Sequence, residues 1–223
     1  MGVLASIIDR SISGSFSSDV FKIGNYAFYE CSNLTELSFP NVTSIGWYAF
    51  SSCSSLTEVS LPNVTSISGR AFDHCSSLTS VSFPNATSIG NYAFTACRSL
   101  TNVDIPNATS IGSNAFYQCS NLTSVSFPNA TSIGSNAFYQ CSNLTSVDIP
   151  NVTSIGNSAF SDCQKLITIY VGTNTSTVCT LSSTSAFNRC TNLTNIYVPA
   201  SLVDSYKAAT NWSSYADKIK AAP

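Results

Sequence analysis

A fixed interval of 22 residues separates successive cysteines through most of the chain, and this period limits the possible folds more than any other feature. The segments between them are near copies of one another, such as CSNLTSVSFPNATSIGSNAFYQ at 119–140. The cysteines in register are Cys31, Cys53, Cys75, Cys97, Cys119, Cys141 and Cys163. A repeat of this length is typical of a solenoid, in which each copy forms one turn and stacked turns share a core. We therefore expect one elongated domain.

Each repeat begins with a short segment in which apolar and polar residues alternate. In the repeat 119–140, Val125 and Phe127 are predicted to point inward, whereas Ser124 and Ser126 point outward. This is the period of a half-buried strand. A proline follows and ends the strand, because it cannot donate a hydrogen bond to the ladder.

The second half of each repeat is predicted to contain another extended segment and a tight bend. Residues 131–133 form the extended segment, with Ile133 inward, and 135–140 have room for only a helical turn or two. Stepping back one period from the first cysteine places the first turn at 9–30, and a half turn at 190–199 ends the array. The inward residues of one turn are too few to form a core, so stacking must create it.

The motif L-T-x-h-x-h-P, followed by T-S-I-G-x-x-A-F-x-x-C with h apolar, resembles the BspA-like leucine-rich repeats of the Treponema type. The match covers about 12–198, with a unit one residue shorter than is usual for that family. We therefore predict a right-handed repeat solenoid of about eight 22-residue turns, with a parallel β-sheet on its concave face and short helical caps. The resemblance implies a surface or secreted adhesin.

Three regions follow from this register. Residues 1–8 are an N-terminal cap or a docking segment, 9–199 are the leucine-rich repeat solenoid, and 200–223 are a C-terminal helical cap. One repeat, 163–189, has 27 residues, which predicts an enlarged loop around 173–185. Cys179 lies in that loop, outside the cysteine column, and is expected to be the most exposed thiol.

The C-terminal region keeps apolar residues at helical spacing, which predicts two short helices that close the open end of the core. Ser201 with Asp204 and Ser214 with Asp217 resemble capping boxes at the start of these helices. The apolar residues with this spacing are Leu202, Val203, Tyr206, Ala209, Trp212, Tyr215, Ala216 and Ile219.

The stacked cysteines are expected to be buried free thiols. Neighbouring turns lie about 4.8 Å apart, which is close enough for a disulfide, but equivalent side chains in stacked turns point in parallel rather than toward each other. A single cysteine per turn also lacks the paired spacing of a zinc site, even with His74 beside Cys75. We predict no metal and no cofactor.

Charge and hydropathy exclude several classes of protein. Only 9% of the residues are charged and the net charge is −2, so a basic nucleic-acid-binding surface is absent and we predict no nucleic-acid partner. No apolar run exceeds four residues, which predicts no membrane insertion. The N-terminus has neither a basic segment nor a long apolar core, so no signal peptide is visible in this chain.

Catalysis is not expected. The chain has one histidine, and its carboxylates are scattered, whereas an active site needs converging acids, bases or nucleophiles. We predict no catalytic residues and no enzyme activity.

The outward positions of the first strand in each repeat are the main candidates for ligand binding, because stacked strands present them as one surface. The alternative is a solvated face with no partner. Tyrosine is favoured at binding hot spots, so the C-terminal end of this face is the strongest candidate. The candidate residues are Glu36, Glu58, Asp104, Asp148, Tyr170 and Tyr197.

A second candidate patch lies two residues after the turn glycine in successive repeats, at Tyr26, Tyr48, Arg70 and Tyr92. An arginine between two tyrosines suggests a cation–π stack. Structural filling of the outer surface is the alternative to a ligand platform.

These patterns favour a non-enzymatic binding or adhesion scaffold that presents a concave polar surface to a protein or glycan on a host or cell surface. The alternative is a phage or prophage structural or receptor-binding component, with residues 1–10 docked to a larger assembly. A minor alternative is an ice-binding solenoid, because threonines also recur every 22 residues. The corresponding locations are secreted, cell-surface or virion-associated.

Overall fold

The fold is that of a computed structural model, which describes residues 14–15 and 20–223. The predicted N-terminal segment 1–8 and the proposed docking segment 1–10 lie outside the described residues. The strands are β1 Gly14–Ser15, β2 Lys22–Ile23, β3 Leu37–Ser38, β4 Ser44–Ile45, β5 Glu58–Ser60, β6 Ser66–Ile67, β7 Ser80–Ser82, β8 Ser88–Ile89, β9 Asn102–Asp104, β10 Ser110–Ile111, β11 Ser124–Ser126, β12 Ser132–Ile133, β13 Ser146–Ile149, β14 Ser154–Ile155, β15 Thr168–Val171, β16 Thr180–Leu181, β17 Asn195–Val198 and β18 Ile219–Ala221. Helix α1 spans Val203–Ala208, and 3₁₀-helices span Thr184–Phe187, Ala200–Leu202 and Trp212–Tyr215.

Stacked turns place these strands in parallel sheets on two sides of a solenoid, which confirms the predicted fold class. The even-numbered strands β2 to β16, the short-strand sheet, form one continuous eight-stranded sheet. Its register advances by one repeat per strand, as in Ser44 opposite Ser66. The other strands lie on the side that we predicted to be concave, and we call their outward surface the long-strand face. They form three separate sheets, β1-β3, β5-β7-β9 and β11-β13-β15-β17-β18.

The core is a set of columns in which each turn contributes the same residue. The most regular is the phenylalanine column, whose rings stack nearly parallel from Phe28 to Phe187 with centroids 5.0 to 5.6 Å apart. Leucine, isoleucine, alanine and cysteine columns run beside it and are almost wholly buried. Each ring therefore packs against the turns before and after it, as the repeat predicts.

The segment after each turn glycine differs from the predicted helical turn. In each repeat up to 141–162, two of its residues have a positive φ, for example Asn136 at 55° and Gln140 at 59°. A residue in this conformation interrupts a right-handed helix. The backbone instead donates to the next turn, and the Phe138 N–H lies 2.7 Å from the Ala159 oxygen. These bonds form a third line of attachment between turns.

The C-terminal region forms a cap, but its details differ from prediction. Helix α1 and the 3₁₀-helix Trp212–Tyr215 have no side-chain cap hydrogen bond at their first residues, so both predicted capping boxes are wrong. Ile219 was predicted to continue a helix, yet it lies in strand β18, which pairs in parallel with β17. Apolar spacing of three and four residues does not distinguish a helix from helical turns followed by a buried strand residue.

The enlarged repeat has its extra residues in the predicted loop, but the exposure of its cysteine differs from prediction. Ile155 lies opposite Leu181, which places most of the extra residues between β15 and β16. Cys179 is only 1% exposed, so the prediction that it is the most exposed thiol is wrong. The reason is the cap, because the Tyr206 hydroxyl accepts from the Cys179 N–H at 2.9 Å and the Trp212 indole donates to the Cys179 oxygen.

All nine cysteines are free thiols, and eight are buried; Cys31 is the partly exposed one. In the column, each thiol from Cys53 onward donates to the phenylalanine carbonyl 25 residues earlier, as from Cys119 to Phe94 at 3.2 Å. Burial raises the pKa of the Cys53, Cys179 and Cys190 thiols from 9.0 to about 12. The column is therefore part of the core, and the Cys53, Cys179 and Cys190 thiols stay protonated at neutral pH.

Within the described residues, none of the helices combines the length and the apolar character that crossing a bilayer requires.

Candidate functional site

The six candidate residues of the long-strand face are all solvent-accessible, but they do not form one site. Glu36 and Glu58 are exposed at the N-terminal end. The other four share a different position, two residues later in the repeat, and lie nearer the C-terminal end. There Asp148 is opposite Tyr170, and Tyr170 is opposite Tyr197. The structure therefore brings together Asp104, Asp148, Tyr170 and Tyr197, and leaves the two glutamates apart.

Tyr170 and Tyr197 form a stacked aromatic pair on adjacent strands. Their ring centroids are 5.0 Å apart and their planes differ by 24°, and both side chains are partly exposed. The next position in the column is Lys220, which lies opposite Tyr197 on β18 and whose Nζ donates to Asn195 at 2.6 Å. Sequence reasoning missed Lys220 because it did not predict strand β18.

The long-strand face has a break between β9 and β11. Strands β3 and β5 are also unpaired, but a backbone bond from Thr57 to Thr35 still joins their turns, whereas no backbone hydrogen bond in the described chain connects 101–105 with 123–127. The Cα atoms of β9 and β11 are farther apart than those of the paired strands β7 and β9. The break opens into a groove of about 490 Å³ lined by 101–106, 124–126, Pro128, 146–148 and Tyr170.

The polar walls of the groove include two carboxylates. The Ser82 hydroxyl donates to Asp104 at 2.8 Å, and the Ser126 hydroxyl donates to Asp148 at 3.2 Å. Neither aspartate forms an ion pair within the described part of the chain, and no lysine or arginine lines the groove. The groove is thus an acidic site with one tyrosine at its edge.

The second candidate patch forms a continuous stack, which confirms the predicted cation–π geometry. Tyr26 and Tyr48 stack with centroids 4.9 Å apart, and the Arg70 guanidinium lies 5.6 Å from the Tyr48 ring and 4.2 Å from the Tyr92 ring. Arg70 also pairs with the buried Asp73 at 3.2 Å. Most ring faces are therefore occupied by neighbours in the same chain.

Three further aromatic side chains near the N-terminal end are exposed, and the sequence analysis did not select them. They are Phe21, Tyr29 and Trp47, at 57%, 43% and 54% exposure. Tyr29 packs edge-on against Tyr26 at 5.8 Å. Their positions in most other repeats carry a polar or small residue. This difference in the sequence could have identified all three.

Groups that could hold a metal or activate a nucleophile are dispersed in the described part of the chain. Among the described residues, His, Cys, Asp and Glu do not gather in any group of three or more that could hold a metal ion. His74 contacts Asp73 at 2.7 Å, but no nucleophile is hydrogen-bonded to it within the described chain. Stacked tyrosines, solvent-accessible carboxylates and a groove are chemically suited to binding.

Comparisons with known proteins agree with the repeat geometry. The family model for BspA-type leucine-rich repeat regions matches in six copies, over residues 11–123 and 87–215. The crystal structure of a leucine-rich repeat protein from Treponema pallidum is similar, with 30% identity, a TM-score of 0.66, and coverage of 71% of this chain and 79% of that one.

A leucine-rich repeat protein from Bacteroides ovatus has 22% identity and a TM-score of 0.54. The match covers 82% of this chain and 62% of that protein, and shows the fold alone. No functionally curated protein matches the chain. The family model spans nearly the whole solenoid and the cap, so the chain belongs to the BspA-type leucine-rich repeat proteins.

Proposed function

We propose that this chain is a non-enzymatic binding scaffold, surface-exposed or secreted, that holds a protein or glycan partner on the C-terminal half of its long-strand face. The observation that carries the proposal is the Tyr170–Tyr197 stack on outward positions of paired strands. Membership of the BspA-type family supports a recognition role and a surface or secreted location.

The physical basis is a rigid scaffold with aromatic anchors. Val171 and Val198, next to the two tyrosines, are fully buried, so both backbones are fixed by the core. A tyrosine held in this way loses little conformational entropy on binding and offers both apolar area and a hydroxyl. Serine and threonine, which cover most of the rest of the face, offer little area to a partner.

The test compares two double variants on opposite sides of the solenoid. The labelled chain is applied to an array of glycans and to an array of cell-surface protein ectodomains, and its affinity for each bound probe is measured. Tyr170→Ala with Tyr197→Ala is expected to weaken binding by about 1–2 kcal/mol, roughly 5- to 30-fold. The melting temperature of this variant is expected to change little.

Tyr48→Ala with Tyr92→Ala is the matched control, because it also removes two partly exposed tyrosines. Loss of affinity in this pair alone would place the site on the aromatic stack with Arg70 and contradict the proposal. Unchanged affinity in both pairs would contradict it as well.

A further inference from the structure

We propose that the groove between β9 and β11 binds an extended, basic peptide segment of a partner protein, which pairs with the two strand edges through its main chain. This deepens the proposed function and rests on it, since it assigns a ligand class to one part of the long-strand face. Backbone groups that are hydrogen-bonded at the junctions on both sides of the groove have no such bond across it within the described chain.

Two kinds of backbone bond join neighbouring turns beside the long strands. The first links the threonine before each strand to the one a turn earlier, as from Thr101 to Thr79 at 2.9 Å and from Thr145 to Thr123 at 2.8 Å. The corresponding bond from Thr123 to Thr101 is absent within the described chain.

The second kind links the end of one strand to the next turn, as from the Phe83 N–H to the Asp104 oxygen and from Phe127 to Asp148, both at 2.9 Å. The equivalent bond from Ile105 to Ser126 is absent within the described chain. Donors and acceptors therefore remain on both walls of the groove, and an extended peptide carries matching groups at the same spacing.

The separation of the strands and the exposed apolar surface favour an inserted strand. β9 and β11 are farther apart than the paired strands β7 and β9, so both edges are open to an added strand. Val103 is only partly buried, whereas the equivalent Val81 and Val147 are 0% and 1% exposed. An inserted peptide would complete the burial that the break leaves unfinished.

Charge selects a basic peptide over a neutral or acidic one. Asp104 and Asp148 line the groove without an ion pair in the described part of the chain, and no lysine or arginine lines it. They lie two turns apart in one column, with Ser126 between them. A lysine or arginine on the inserted strand would lie beside Asp104 on one side, with Asp148 one strand beyond Ser126 on the other, and charge-assisted hydrogen bonds between such groups are strong.

The probe is a set of peptides selected from a display library of random 12-residue sequences against the whole chain. We expect lysine- or arginine-containing sequences, and a synthetic peptide of the selected sequence is then measured by fluorescence anisotropy. Asp104→Asn with Asp148→Asn is expected to weaken its binding about tenfold or more. Glu36→Gln with Glu58→Gln is the matched control, because it removes two carboxylates from the same face away from the groove; its affinity is expected to stay within about twofold.

Methylation of alternate backbone nitrogens in the same peptide separates main-chain pairing from side-chain contact. It removes donors without changing charge, and we expect it to abolish binding. Hydrogen exchange provides the second readout, since the Thr123 and Ile105 amides are expected to exchange fast in the free chain and slowly with peptide. Full binding of the methylated peptide, equal loss in both carboxylate pairs, or selection of no basic peptide overturns the inference.

A glycan that binds the wild-type chain and is lost in the Asp104→Asn, Asp148→Asn variant would also overturn the inference, because the groove would then be a carbohydrate site. The proposed function fails separately, through the tyrosine variants. Tyrosine-dependent partner binding without basic-peptide binding would leave the scaffold role standing and remove only the peptide assignment.

Discussion

The two sheets differ most clearly at the junction between the repeats 97–118 and 119–140. On the short-strand sheet, β10 and β12 are paired, and the Thr131 hydroxyl and amide both donate to the Thr109 oxygen, at 3.1 and 2.8 Å. On the long-strand face of the same two repeats, β9 and β11 are unpaired. One side of the junction is closed and the other is open.

The closed side has several independent lines of attachment. The Phe116 and Phe138 rings stack at 5.2 Å, the Phe116 N–H donates to Ala137 at 2.8 Å, and the Cys141 thiol donates to Phe116 at 3.2 Å. A break in one column therefore does not separate the turns. In a solenoid, each column acts as its own contact between neighbours, so one face can open while the core stays continuous.

Alkaline pH is expected to have the largest effect, because it acts on buried groups of the core and not on the open face. Burial raises the pKa of the Cys53, Cys179 and Cys190 thiols to about 12 from 9.0, and of Tyr206 to about 12 from 10.0. A raised folded-state pKa means that the unfolded chain releases these protons first. The stabilisation is therefore complete below about pH 9 and is lost as the pH rises toward 12.

Each thiol that stays protonated only in the folded state lowers the free energy of unfolding by about 1.4 kcal/mol per pH unit in that window. Urea denaturation under reducing conditions at pH 7, 9, 10 and 11 measures the slope. We expect little change from these thiols between pH 7 and 8 and a steep fall above 9. A free energy of unfolding that stays constant to pH 11 would contradict the buried cysteine column.

Phe138→Ala is expected to cost about 3–5 kcal/mol, since it leaves a cavity on the closed side. The ring is fully buried between Phe116 and Phe160, both at 5.2 Å. Ser124→Ala, in the same repeat but exposed on the open side, is expected to stay within about 0.5 kcal/mol. Chemical denaturation compares the two variants, and equal costs would mean that the assignment of inward and outward residues is inverted.

The closed side was predictable from the sequence and the open side was not. A strict period fixes which residues share a column, so the stacked phenylalanines, the buried thiols and the Tyr48–Arg70 contact follow from spacing alone. The break does not, because 97–118 and 119–140 differ at only five positions, among them Asn102 against Ser124 and Asp104 against Ser126. Nothing in those exchanges removes a backbone donor.

Two other features depend on contacts between distant parts of the chain. Residues such as Tyr48 adopt a positive φ of 56°, although glycine is the residue that signals this conformation. Bonds from the next turn stabilise it, and a local propensity does not reveal them. Cys179 is buried because the C-terminal cap covers it, and the position of that cap depends on strand β18, which has only three residues.

The smallest effect separates the two sides most directly, through one residue type in one repeat. Thr131→Val removes a hydroxyl that donates to Thr109 across the closed side, and we expect a cost of about 0.5–1 kcal/mol. Thr123→Val alters the equivalent threonine at the break, whose hydroxyl has no such bond to Thr101 within the described chain. Valine is well suited to an extended backbone, so we expect no cost there. Both side chains are exposed, which keeps solvation similar.

Urea denaturation of the two variants measures the difference in their free energies of unfolding. Equal costs would mean that β9 and β11 pair in solution. The groove would then be absent, and the proposed peptide site with it.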